Sequence, residues 1–264
     1  MKTIITILIS VLCSTFIVAQ DFQGIATYKT QIKIDTKDLK LDTASLGMDM
    51  VNMIKKQLSK GNQSSHQLIF NRNESVYKSI EQVDMPSTSS GNVQIKMNFS
   101  GSGYGGVIYK NLKDKKLLSQ EDIMGKQFLV NSPLGSEMWK MTKEKKNIGK
   151  YECYKAVSEF EGEVNGKKIK TKKVAWYTQQ IPVSNGPDFY GGLPGLILEI
   201  NDGKRTILCT EIQLNPKKKL TINAPTQGKK ISREKFSKIQ MQKMKEFMDS
   251  KGANGNVIIR SSGF

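Results

Sequence analysis

Few side chains in this sequence have a type and spacing that could do chemistry. His66 is the only histidine, so a serine–histidine–aspartate triad would have to run through it. A metal site built on several imidazoles is excluded for the same reason. His66 sits in Ser64-Ser65-His66-Gln67-Leu68-Ile69, a strand-like run in which a structural role is expected. Acidic pairs such as Glu121/Asp122 and Glu161/Glu163 lie among lysines, whereas acid–base work needs a carboxyl with a raised pKa. Gly101 to Gly106 spells G-x-G-x-x-G, but Val107-Ile108-Tyr109 then opens a strand. A dinucleotide site would need a helix N-terminus there to cradle the pyrophosphate, so a loop is expected. Ser232-x-x-Lys235 has the spacing of penicillin-binding enzymes, yet their Ser-Asp-Asn and Lys-Thr-Gly partners are missing. The sequence therefore predicts no catalytic residue, no metal and no cofactor.

The densest constellation is conformational rather than catalytic. Three of the seven prolines and four glycines fall between residues 182 and 195. Proline fixes φ and glycine admits positive φ, so this stretch predicts a rigid, irregular connection between two strands. Its apolar residues either plug the end of the core or face a ligand or partner. The candidate contact residues are Trp176, Tyr177, Pro187, Phe189, Tyr190, Gly192, Leu193, Pro194 and Gly195. Rigidly held aromatics have little entropy left to lose on binding.

Gly192-Leu193-Pro194-Gly195-Leu196-Ile197 is similar to the signature hexapeptide of the GLPGLI family, exported proteins of Bacteroidetes. Trp139, the run Ile148 to Ala156, Ala175-Trp176-Tyr177-Thr178, Ile181-Pro182 and Gly186-Pro187 resemble that family as well. The likeness covers about 130–210 strongly and the rest of the mature chain loosely. It implies a periplasmic or outer-membrane-associated protein without an established activity, of a kind thought of alongside TonB-dependent transport systems.

Strands and helices must hold these residues in place. Strands are expected at 22–34, 64–71, 74–83, 93–99, 107–111, 115–120 and 126–131, with another short element over Trp139 to Thr142. Two hairpins stand out: 151–164 with 167–178 around Asn165-Gly166, and 196–201 with 204–214 around Asp202-Gly203. Asn-Gly and Asp-Gly supply the positive φ that two-residue turns require. A helix is expected over about 43–59, where Leu46, Met50, Met53, Ile54 and Leu58 recur on one face. A second is expected over 232–250, capped by Ser232, with Phe236, Ile239, Met244, Phe247 and Met248 as its apolar face.

The two ends and the charge set the compartment. Lys2, an apolar run from Ile4 to Leu12 extended to Val18, and Ala19-Gln20 read as a cleavable signal peptide over 1–20. Cys13 lacks the small residue expected ahead of a lipid anchor. The chain carries 41 Lys+Arg against 24 Asp+Glu, with Arg only at 72, 205, 233 and 260. Nucleic-acid recognition leans on the arginine fork, so no nucleic-acid partner is expected. Cys153 and Cys209 remain after cleavage, and an oxidising compartment suggests one disulfide between them.

The expected fold is α+β: residues 21–264 as one domain, a predominantly antiparallel curved sheet resembling a lipoprotein-carrier half barrel, with one N-terminal and one C-terminal helix. The expected function is that of a non-enzymatic protein of the periplasm or outer-membrane periphery, binding a lipid or apolar ligand or an outer-membrane partner. The alternatives are an envelope hydrolase using carboxylates such as Asp188 and Glu199, and an outer-membrane barrel.

Overall fold

A computed structural model describes residues 22–32, 48, 62–80, 106–135, 137–164 and 167–252. Twelve strands form one sheet: β1 (Gln23–Ile32), β2 (Asn62–Asn71), β3 (Glu74–Ser79), β4 (Ile108–Asn111), β5 (Lys116–Ile123), β6 (Lys126–Pro133), β7 (Lys140–Ile148), β8 (Tyr151–Val164), β9 (Lys167–Thr178), β10 (Leu196–Asn201), β11 (Arg205–Leu214) and β12 (Lys229–Ser232). One helix follows, α1 (Arg233–Gly252). The spatial order is β12-β6-β5-β4-β3-β2-β1-β11-β10-β9-β8-β7. Two meanders, β1–β6 and β7–β11, are therefore joined side by side through the antiparallel β1–β11 pair, in which Gly24 faces Leu214. The sheet is curved and unclosed, so the barrel alternative does not describe it.

Alternation sets the two faces. Along β1, Gly24, Ala26, Tyr28 and Thr30 are buried while Lys29 is exposed. The inner face continues with Leu68 and Phe70 on β2, Tyr77 on β3, Ile108 on β4 and Ile207 on β11, and these belong to the main core. Phe128, Val130 and Phe236 make a smaller cluster where α1 meets β6. Both edge strands carry lysine, at 140, 143, 145 and 146 on β7 and at 229 and 230 on β12, a charge that discourages further strand addition.

The link from β11 to β12, residues 215–228, crosses to the far edge of the sheet. Seven strand spacings amount to ~34 Å, and a chain of 14 residues reaches ~46–50 Å when fully extended. The link is accordingly drawn out. Gln23 anchors its start, donating to Pro216 O and Lys218 O and accepting from Leu220 N. At its end Gly228 has φ +106, and a Cβ there would lie 2.8 Å from the Phe128 backbone. An open cleft of about 440 Å³ lies between Thr221–Gln227 and Ile69, Val76 and Lys78.

Several expectations need correction. The element begun at Trp139 is a full edge strand reaching Ile148; its lysines mask the alternation. β12, parallel to β6, has no sequence signal beyond four polar-flanked residues. Cys153 and Cys209 are free, buried thiols. They lie on β8 and β11 with β9 and β10 between them, whereas a disulfide needs Cα atoms within roughly 7 Å. The signal segment, the helix expected over 43–59 apart from the helical Met48, the strand at 93–99 and the Asn165-Gly166 turn fall outside the described residues.

Candidate functional site

The connection between β9 and β10 is the site the sequence singles out, and its geometry follows from its glycines and prolines. Tight i to i+2 contacts fold it: Val183 N to Ile181 O, Asn185 N to Val183 O, and Gly195 N to Leu193 O, each at 2.8 Å. Gly192 has φ +86, and a Cβ on Gly195 would sit 2.1 Å from Thr178 O. The hexapeptide thus has separable parts. Gly192 turns the chain, Leu193 is buried, Pro194 faces out, Gly195 lets the backbone pass Thr178, and Leu196 and Ile197 start β10 inside the core.

Three side chains, those of Lys110, Arg205 and Trp139, clamp this connection in place. Lys110 on β4 is fully buried, because Ile108 and Lys110 share the inward side of the strand. Its ammonium donates to Asn185 Oδ1 (3.2 Å), Gly186 O (2.8 Å) and Tyr190 O (2.7 Å). Burial pushes Lys110 down to about 7, opposed by the Asp188 charge. Asp188, fully buried with φ 52, pairs with Arg205 Nη2 at 2.8 Å. Burial pushes its carboxyl up, against the pull of Arg205 and Lys110. Arg205 also bonds Asp202 through Nε (2.8 Å), and Trp139 Nε1 donates to Gly191 O (2.9 Å).

Beneath the connection, the only histidine is 2 % exposed. Its ring stacks on Tyr77 at 5.0 Å and 8°. Burial lowers His66 to about 4, and the Arg205 charge adds to that. A neutral, stacked imidazole matches the structural role expected of it. Farther along the inner face, Glu121 on β5 is held by Arg233 of α1 and by Ser119. Arg233 also lies 5.4 Å from the Phe189 ring, so the connection and α1 share this face.

The nine candidate contact residues do not form one surface. Tyr177, Pro187, Tyr190, Leu193 and Gly195 are buried, Phe189 is half-buried, and Gly192 and Pro194 are exposed. Trp176 is half-buried on the other face of the sheet, between Lys146 (4.4 Å) and Lys155 (5.9 Å). The two carboxylates of the hydrolase alternative are also separated. Asp188 is on the inner side with Arg205, whereas Glu199 pairs with Lys146 at 2.6 Å on the outer face beside Trp176. Among the described residues no group of three His, Cys, Asp or Glu could hold a metal. Burial pushes Cys153 up to about 11 and Cys209 up to about 12, so neither thiol is poised as a nucleophile.

Sequence reasoning passed over Lys110 and Arg205, although a signal existed for each. Lys110 falls two residues after Ile108 in a strand. Arginine is rare in this lysine-rich chain, and Arg205 and Arg233 occupy places where a fork contacts a buried carboxylate.

A family described as a protein of unknown function (Porph_ging) matches residues 158–199, a stretch holding the whole connection and the hexapeptide. No curated protein matches the chain. Two solved structures of PNGF-II, in C2 and P21 space groups, are similar to it at 15% and 16% identity, with TM-scores of 0.49 and 0.50. Each comparison covers 84% of this chain and 33% of the other. The chain spans about a third of the length of these structures, and the likeness is one of fold.

Proposed function

We propose that this chain is an exported, non-enzymatic GLPGLI-family module of the cell envelope that docks an outer-membrane partner, rather than a carrier that encloses an apolar ligand. One observation carries the choice between the two. The inner face, where a half-barrel carrier would hold acyl chains, is occupied by the protein's own Tyr190 and Leu193, with Phe189 and Phe236 beside them. The 181–195 connection is a braced platform, and its outward lip is Gly192 and Pro194, flanked by half-buried Phe189. The family match over 158–199 supports reading this platform as the defining element.

The test is native mass spectrometry of the mature protein purified gently from its own envelope, beside a Pro194→Asp variant. A complex with an outer-membrane protein that is lost in the variant, at unchanged thermal stability, is expected. A reproducible adduct of lipid mass on the monomer, retained in the variant, would sink the docking reading in favour of the carrier.

A further inference from the structure

Under the 185–190 segment, six neutral side chains each bury a polar atom without a hydrogen-bond partner in the protein: Thr30 Oγ1, Ser64 Oγ, His66 Nδ1, Ser75 Oγ, Tyr77 OH and Asn185 Nδ2. They come from three strands and the connection, and fall in two groups under the segment: Thr30, Ser64, His66 and Tyr77 toward one end of β2, and Ser75 with Asn185 toward the other. Thr30 faces Ser64 across the β1–β2 pair, and Ser75 faces Lys110 across β3–β4. His66 stacks on Tyr77, and Lys110 holds Asn185. The Tyr77 hydroxyl and Thr30 Oγ1 lie within hydrogen-bonding reach of each other, outside the geometry of a normal bond.

This arrangement is costly as it stands. Six unpaired buried polar groups together would rival the net stability of a whole domain. Buried polar groups are, as a rule, bonded to something. The charges in this region are already matched, Lys110 by three oxygens and Arg205 by Asp188 and Asp202. What is left over is a set of hydroxyl, imidazole and amide groups together with the oxygens of the Asp188 carboxylate, which pairs with Arg205 but closes no normal hydrogen bond, a mixture of donors and acceptors. That chemistry selects a small neutral molecule able both to donate and to accept, and water fits it best. We infer that this seam is an internal hydration site, in which ordered water bonded to these six groups stitches the 185–190 segment to β1, β2 and β3. The hydration site is independent of any docking partner.

Near-isosteric deletions separate the possibilities. Thr30→Val, Ser75→Ala and Tyr77→Phe each remove one hydroxyl and little volume. If water bonds these groups, each variant lowers Tm by roughly 2–4 °C, and the Thr30→Val/Tyr77→Phe double variant loses less than the sum because those two neighbouring hydroxyls share water. If the hydroxyls are unbonded, removing them relieves a penalty, and Tm stays level or rises. That outcome overturns the inference. A crystal structure of the mature protein gives a second readout. Ordered water within about 3.2 Å of two or more of these atoms is expected, whereas a dry seam or direct side-chain pairing among them refutes it.

Discussion

Acid should destabilise this protein in part through its single imidazole, and the size of that effect can be worked out. His66 titrates at about 6.5 when unfolded and at about 4 when folded. Between those values the unfolded chain binds a proton that the folded chain refuses, so stability falls as pH drops below 6.5. At ~1.36 kcal/mol per pH unit, the loss is about 2 kcal/mol by pH 5 and about 3 kcal/mol below pH 4. Carboxylates also titrate below pH 5, so the contribution must be isolated. His66→Phe keeps a ring against Tyr77 but cannot be protonated. Urea midpoints of the untagged mature protein and of this variant, compared from pH 7 to pH 4.5, should diverge by that amount as pH falls, with the variant less acid-sensitive. Because there is one histidine in the chain, its proton NMR signal reports the folded value directly. An imidazole titrating near 6.5 in the folded protein, or identical pH slopes for the two proteins, would refute the reasoning.

Two further outcomes follow from the clamp and the hexapeptide. Lys110→Met strips the ammonium from three oxygens and leaves Asp188 with one fewer cation; it should cost about 3–5 kcal/mol in urea unfolding, and a loss under 1 kcal/mol would show the contacts to be dispensable. Gly195→Ala should cost well over the ~1–2 kcal/mol of a left-handed residue alone, since its Cβ would meet Thr178 O at 2.1 Å, whereas Gly149→Ala, at φ 56 with open space around it, should stay within that range; similar Tm losses for the two would refute the close-approach argument.

Much of this architecture is legible in the sequence, for local reasons. The hairpins at 151–178 and 196–214 combine long alternating runs with turn-forming residues, although the second closes through a longer loop than a two-residue Asp-Gly turn, Asn201 pairing with Thr206 and only Gly203 taking a positive φ, +87. The start and stop of α1 follow from Ser232, whose hydroxyl accepts from Lys235 N at 3.4 Å, and from Gly252. The site was legible as a place but not as an interior. Tyr190 and Leu193 read as a plug or as a contact surface, because the choice depends on what lies across from them. That partner set, Lys110, Arg205 and His66, comes from three different strands, 80 residues before, 15 after and 124 before Tyr190, and no local pattern encodes such a meeting. Lysine in particular is assumed to point outward. Only the step from Ile108 to Lys110 argued otherwise.

The β1–β11 seam has a bearing on how the molecule is made. Every other antiparallel pair joins strands that are neighbours in the chain, whereas this one brings Gly24 to Leu214. Pairings of such long sequence separation carry the largest loop-closure cost and slow folding most. Synthesis runs from the N-terminus, so β1 can pair with β2 early but must wait for nearly the whole chain before its second edge is covered. Until then a half-sheet with a bare, apolar-backed edge is exposed to its surroundings. The arrival of β11 is thus the step that turns two meanders into one protein, and it sets the interval during which a nascent chain most needs protection from its neighbours.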